Sequence, residues 1–169
     1  MRIGIISDTH DNIINFKKAI EWMKKEKIKT VIHCGDISSP MTLKEVSQDF
    51  KGKIHLVFGN MDDKRLFEQF LSKEKIKNAI FHGQTGEIEK DHKKIAFSHF
   101  PEVAKKLALS KKYDLVFYGH THKPWEEKIN HCRLVNPGNL AGIFYRATFA
   151  VYDTKNDILE LKILDEIKN

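Results

Sequence analysis

Cysteine, proline and glycine are all scarce in this 169-residue sequence, at 2, 4 and 9 copies, and each scarcity excludes something. Cys34 and Cys132 form no CxxC pair, which excludes a disulfide framework and a thiolate zinc site. So little Gly and Pro, beside 41% hydrophobic and 31% charged residues, excludes a collagen-like, low-complexity or disordered chain. No apolar run approaches the ~18 to 20 residues that span a bilayer, so no membrane partner is expected. Met1-Arg2 leads straight into an apolar strand without a signal-peptide pattern, and the expected location is cytoplasmic. A block of one charge is missing too: 29 basic against 23 acidic residues gives +6, but the lysine pairs at 24–25, 93–94, 105–106 and 111–112 are scattered. Such a surplus suits anionic partners and reads first as solvated helix and turn surface. The length is that of a single domain, residues 1–169, with enough chain to bury a core unaided.

What is present is a recurring strand, loop and helix. Ile3, Ile5 and Ile6 form a β-branched run ending at Asp8-Thr9-His10, and Ile13 to Lys25 then places Phe16, Ala19, Ile20 and Met23 at helical spacing. Thr30 to His33 runs into Cys34-Gly35-Asp36, and Pro40 opens a helix with Leu43 and Val46 inward. Ile54 to Phe58 ends at Gly59-Asn60, before a helix near Lys64 to Ser72 carrying Leu66, Phe67, Phe70 and Leu71. Three such units predict an α/β fold with a largely parallel sheet. Beyond residue 78 the pattern changes: a hairpin turning over Lys90 to Lys93, a helix over Pro101 to Lys111, a strand over Asp114 to Tyr118, then strand and turn to the end. The expectation is two packed sheets with helices outside.

Five signatures sit where a strand gives way to a loop: Asp8-Thr9-His10, Gly35-Asp36, Gly59-Asn60, Ser98-His99 and Gly119-His120-Thr121-His122. All offer oxygen or imidazole nitrogen. In Asp8-x-His10 and His120-x-His122 a spacing of two, in extended backbone, puts both side chains on one face. Glycines 35, 59 and 119 permit tight turns beside a ligand.

This set and order closely resembles the calcineurin-like metallophosphoesterase superfamily, specifically its small YfcE-like phosphodiesterase branch. The resemblance runs over nearly the whole chain and includes Asn136-Pro137-Gly138. It implies a four-layer αββα sandwich of two mixed sheets flanked by helices. It further implies two divalent metal ions, one held by Asp8, His10, Asp36 and His122, the other by Asp36, Asn60, His99 and His120, with Asp36 bridging. The mixed ligands suit Mn first, and also Ni, Co, Fe or Zn. The implied chemistry is attack on a small phosphodiester by a bridging hydroxide, with Asp36, Asn60 and His120 as the catalytic residues. Two ions at +4, two carboxylates at −2 and a hydroxide at −1 leave the site at +1, which attracts an anionic substrate. The resemblance also makes a homodimer one expected assembly, although no feature of the chain fixes an interface.

Departures from the family pattern shape these expectations. Larger members carry a histidine after the motif asparagine as leaving-group acid, and here that position is Met61, followed by Asp62. Asp62 could serve as the acid only with a raised pKa. Slow turnover and easily expelled leaving groups are therefore expected. Ser98 stands for a usual glycine and Asn139 for a usual serine, both expected to matter little. His33, His55, His82, His92 and His131 read as packed or hydrogen-bonded, Cys34 as a buried filler, and Phe100, Trp125, Phe144 and Tyr145 as core before cleft. Two alternatives remain at this point. One is a protein-binding scaffold of the same fold with a vestigial metal site, as in the retromer subunit. The other is a nuclease acting on nucleic acid, supported by the +6 charge but by no aromatic-basic motif.

Overall fold

β-branched runs become strands and apolar stripes become helices largely where the pattern predicts. The computed structural model describes residues 1–73 and 76–167. In chain order it contains β1 (Arg2–Ile6), α1 (Ile13–Lys25), β2 (Thr30–His33), α2 (Pro40–Asp49), β3 (Lys53–Leu56), α3 (Lys64–Lys73) and β4 (Ala79–Phe81). There follow β5 (Thr85–Lys90), β6 (Lys93–Ser98), α4 (Pro101–Leu109), β7 (Leu115–Phe117), β8 (Trp125–Ile129), β9 (Cys132–Asn136), β10 (Thr148–Asp153) and β11 (Ile158–Ile163). Local signals start the helices: the Asn12 side chain caps α1 by accepting from Asn15 N, and Ser39 caps α2 just ahead of Pro40.

The strands form two mixed sheets, as expected. One has the order β11-β10-β1-β2-β3-β4 and the other β5-β6-β7-β9-β8. β1 to β4 run parallel, β10 joins β1 antiparallel, and β6, β7 and β9 are parallel in the second sheet. Three apolar layers separate four structural layers. Phe16, Ile20, Met23, Leu43, Val46 and Phe67 pack α1 to α3 onto the first sheet. Ile5, Ile32, Phe97, Phe117, Val135 and Tyr152 fill the space between the sheets. Ala104 and Ala108 of α4 meet Ala96, Val116 and Leu134 on the outer face of the second. The αββα expectation is met. Among the described residues no helix is long and apolar enough to cross a membrane.

Some details depart from the sequence pattern. β4 is too short to announce itself by alternation. The hairpin is tighter than expected, because Lys90 pairs with Lys93 and the turn is Asp91-His92 alone, both with positive φ. α3 docks through Phe67 against Phe58 and Phe81, while Leu66 faces solvent. All five chemistry-bearing segments follow the C-terminal ends of parallel strands: β1, β2 and β3 in one sheet, β6 and β7 in the other. Open parallel sheets gather their functional groups at that rim.

Candidate metal centre

The loops after β1 and β2 are stitched together before any side chain is considered. Asp8 N donates to the Gly35 carbonyl at 3.0 Å, and Thr9 N and His10 N both donate to the Asp36 carbonyl at 2.8 and 3.0 Å. Within the second sheet, Gly119 N donates to the His99 carbonyl at 3.1 Å, and across the sheets His120 N reaches both oxygens of Asp8 at 3.1 Å. Close approach requires glycine here. A Cβ on Gly59 would stand 2.0 Å from Asp36 Oδ1, and one on Gly119 would stand 1.9 Å from Ser7 Oγ.

All seven residues singled out by the motifs converge. Asp8 Oδ1 lies 3.5 Å from His122 Nε2 and 4.0 Å from His10 Nε2, and the two imidazole nitrogens are 3.1 Å apart. Asn60 Oδ1 lies 3.0 Å from His99 Nε2 and 2.9 Å from His120 Nδ1, which are 3.2 Å from each other. Asp36 connects the two groups. Its Oδ1 accepts from Met61 N at 2.8 Å, leaving Oδ2 at 3.8 Å from His10 Nε2 and 3.5 Å from His99 Nε2. Among the described carboxylate, imidazole and thiol groups, two trios have ligand atoms within 4.8 Å of one another: Asp8, His10, His122 and Asp8, Asp36, His99.

The route to this convergence differs from the one the spacing suggests. Asp8, His10, Asp36, His120 and His122 all have positive φ, between 44° and 69°. The paired residues are therefore not on one face of extended backbone; left-handed residues, separated by Thr9 and by Thr121, aim them. Each such residue costs of order 1 kcal/mol, which the stitched backbone around it must offset.

Burial sets the electrostatics. It pushes the Asp8 carboxyl up to about 7, with Asp36 adding to the rise against the opposing hydrogen bond from the His120 amide. His99 and His122 are lowered by the same burial. Burial thus favours a neutral carboxyl at Asp8 and neutral imidazoles at His99 and His122; a cation would reverse the first preference and reinforce the second. The His99 tautomer is fixed as well. Its Nδ1 sits 2.9 Å from the Cys34 carbonyl, which only accepts, so the proton is on Nδ1 and the Nε2 lone pair faces Asp36 and Asn60. Clustered carboxylate, amide and imidazole donors, with one imidazole held in its ligating tautomer, fit divalent transition-metal ions.

Residues around the cluster hold it in shape. His33 is not among the ligands: Nδ1 accepts from Gly35 N at 3.2 Å, so Nε2–H donates to Thr9 Oγ1 at 2.8 Å. Burial pushes its pKa down to about 3, keeping it neutral. His33→Phe fills the space but leaves the Gly35 amide and Thr9 hydroxyl unpaired. A cost of about 2 kcal/mol, seen as a melting temperature lower by ~4–8 °C, is expected; an unchanged melting temperature would remove this role.

Asn139 corrects an expectation. Fully buried, it accepts from Gly142 N and Ile143 N at 2.6 and 2.8 Å and donates to the His122 carbonyl at 3.2 Å, so this departure is a structural tie. Asp62 was legible only as a candidate acid. In the structure its carboxylate accepts from the backbone N–H groups of Asp36, Gly59 and Ser38, each at 2.8 Å. The aromatic expectation also fails in part, since Phe144, Tyr145 and Trp125 are 88%, 46% and 51% exposed. His55 and His82 pair with each other at 3.0 Å, and His92 and His131 are exposed in hairpin turns; none joins the cluster.

The sequence model of the calcineurin-like phosphoesterase superfamily domain matches residues 1–157. Phosphodiesterase MJ0936 of Methanocaldococcus jannaschii is 35% identical over 157 residues, covering 92% of this chain and 94% of its own. A solved structure described as a novel archaeal phosphodiesterase superposes with a TM-score of 0.86 at 33% identity, over 96% of this chain and 99% of that one. The phosphoesterase YfcE of E. coli shares the fold at a TM-score of 0.66 and 16% identity, over 97% of this chain and 100% of its own.

Proposed function

Because this chain belongs to the calcineurin-like phosphoesterase superfamily, we propose that it is a phosphodiesterase of one domain, residues 1–169, working in the cytoplasm with two divalent metal ions, manganese foremost. The observation that supports this most directly is Asp36 Oδ2, which stands between His10 Nε2 and His99 Nε2 at 3.8 and 3.5 Å. Asp8, His10, Asp36 and His122 hold one ion, and Asp36, Asn60, His99 and His120 the other. When bound, such a pair lowers the pKa of a shared water to supply the nucleophile and neutralises charge developing on the phosphoryl oxygens.

The chain's own residues do the rest. Asp36 is the shared carboxylate, kept in place by the Met61 amide on its other oxygen. Asn60 turns its carbonyl oxygen toward His99 and His120, which leaves its NH₂ to donate to a phosphoryl oxygen. His120 has Nδ1 in the cluster, so Nε2, on the far side of an exposed ring, donates to the substrate. Met61, 55% exposed beside Asn60, can protonate nothing, and the substrate is a diester with a readily expelled leaving group.

The test is metal content and metal dependence together. Protein loaded with manganese should hold two ions per chain by elemental analysis and hydrolyse bis-(p-nitrophenyl) phosphate, with activity lost on chelation and regained on adding manganese. Absence of any stoichiometric divalent ion would favour a scaffold with a vestigial site, and full activity in chelated protein would overturn the mechanism.

A further inference from the structure

Phe144 has no folding reason to be where it is. Its ring is 88% exposed and its φ is +66°, a region that bulky side chains rarely enter. The loop that presents it is firmly held. Asn12 Nδ2 and Asn15 Nδ2 donate to the Ala141 and Leu140 carbonyls at 3.0 and 2.8 Å, Ala141 N donates to the Asp8 carbonyl at 3.0 Å, and Asn139 Oδ1 accepts from Gly142 N and Ile143 N. The exposed ring therefore stands on a rigid base tied to the ligand cluster. It lies 5.9 Å from the His122 ring, while Phe100 lies 5.3 Å from His120 and 5.0 Å from His99. The two halves of the cluster are thus each flanked by a phenylalanine, and Phe144 is the one left almost wholly open to solvent. Such a ring cannot ligate or exchange protons; it can stack.

Resting on the phosphodiesterase reading above, we propose that Phe144 is a stacking platform for a planar ring on the retained side of the diester, a nucleobase or an aryl group that is not expelled, and that it sets the preference for such esters over those whose retained group is alkyl. Stacking of one base on an aromatic side chain is lost on substitution to alanine at a cost near tenfold in affinity. A stiff, pre-placed ring gives up little entropy on binding.

The experiment uses manganese-loaded wild type, Phe144→Ala and Phe144→Trp, with three substrates sharing a p-nitrophenolate leaving group: thymidine 5′-(p-nitrophenyl) phosphate, phenyl p-nitrophenyl phosphate and ethyl p-nitrophenyl phosphate. Calorimetric titration with thymidine 5′-monophosphate and with inorganic phosphate adds a readout independent of turnover. In Phe144→Ala the ratio of kcat/KM for the thymidine ester over the ethyl ester should fall about tenfold, mainly through KM. The affinity ratio of the nucleotide over phosphate should fall with it, and Phe144→Trp should restore both. A parallel fall for the phenyl ester supports stacking on any planar ring; a fall confined to the thymidine ester supports a base. Equal effects on all three esters, or none, overturn the proposal. So does a dimer that Phe144→Ala dissociates in ultracentrifugation while leaving the ratios intact, since the ring would then serve an interface. If no ester is hydrolysed but nucleotide binding still depends on Phe144, the phosphodiesterase reading falls and the stacking site stands.

Discussion

Asp36→Ala should abolish hydrolysis of bis-(p-nitrophenyl) phosphate, lowering kcat/KM by about 10³ or more, and should reduce the divalent metal held per chain in the same protein. Asp36 Oδ2, the oxygen not taken by Met61 N, faces imidazoles of both ligand groups, at 3.8 Å from His10 Nε2 and 3.5 Å from His99 Nε2. Its removal would take a ligand from each of the two proposed ions and leave four imidazoles around a site with one fewer negative charge. The fold should largely survive, because the lost structural contact is the single hydrogen bond from Met61 N, worth about 1–3 kcal/mol. Asp36→Asn separates the two roles: the amide oxygen can still accept from Met61, but it cannot supply a charged bridge. Near-wild-type stability with lost activity and lost metal is expected for it. If either variant keeps half the wild-type rate, the shared carboxylate is not the centre of this site.

Much of the arrangement follows from short-range patterns, which is why it could be read from sequence. The helical spacing of Phe16, Ala19, Ile20 and Met23 and the β-branched run of β1 are local and strong, and all of these residues are buried as the pattern predicts. The order of strand-terminal motifs is equally local, and the parallel topology brings their ends to one rim. What escaped depends on long-range or conformational detail. Asn139 and Asp62 act through hydrogen bonds to backbone amides, whose direction no side-chain pattern encodes. The left-handed residues at Asp8, His10, Asp36, His120 and His122 run against intrinsic preference, so a rule built on extended backbone chose the right side chains by the wrong geometry. Phe144 looks apolar in sequence, and apolar residues default to the core. Only the structure shows a ring held outside it.

Asp62 offers the second large effect and decides between two roles for one carboxylate. As a leaving-group acid it would need to be protonated and free to donate; in the structure it accepts from the amides of Asp36, Gly59 and Ser38, each at 2.8 Å. Both of its oxygens are engaged as acceptors, the geometry of a clamp between the β2 and β3 loops. Asp62→Ala leaves those amides without an acceptor, the one on Asp36 inside a buried residue. The expected loss is about 3 kcal/mol, a melting temperature lower by ~6–12 °C, and a rate lower by about 100-fold because the backbone that aims Asp36 is released. Asp62→Asn keeps one accepting oxygen and should fall between wild type and alanine in both stability and rate. Under the clamp role these losses are similar for good and poor leaving groups, and the shape of the pH–rate profile is kept. Under the acid role Asp62→Asn would keep its stability, hydrolyse nitrophenyl esters nearly normally, and fail only on alkyl leaving groups, with the alkaline limb of the profile gone. Observing that second pattern would return Asp62 to the chemistry and leave the tie between the β2 and β3 loops to be explained by the backbone alone.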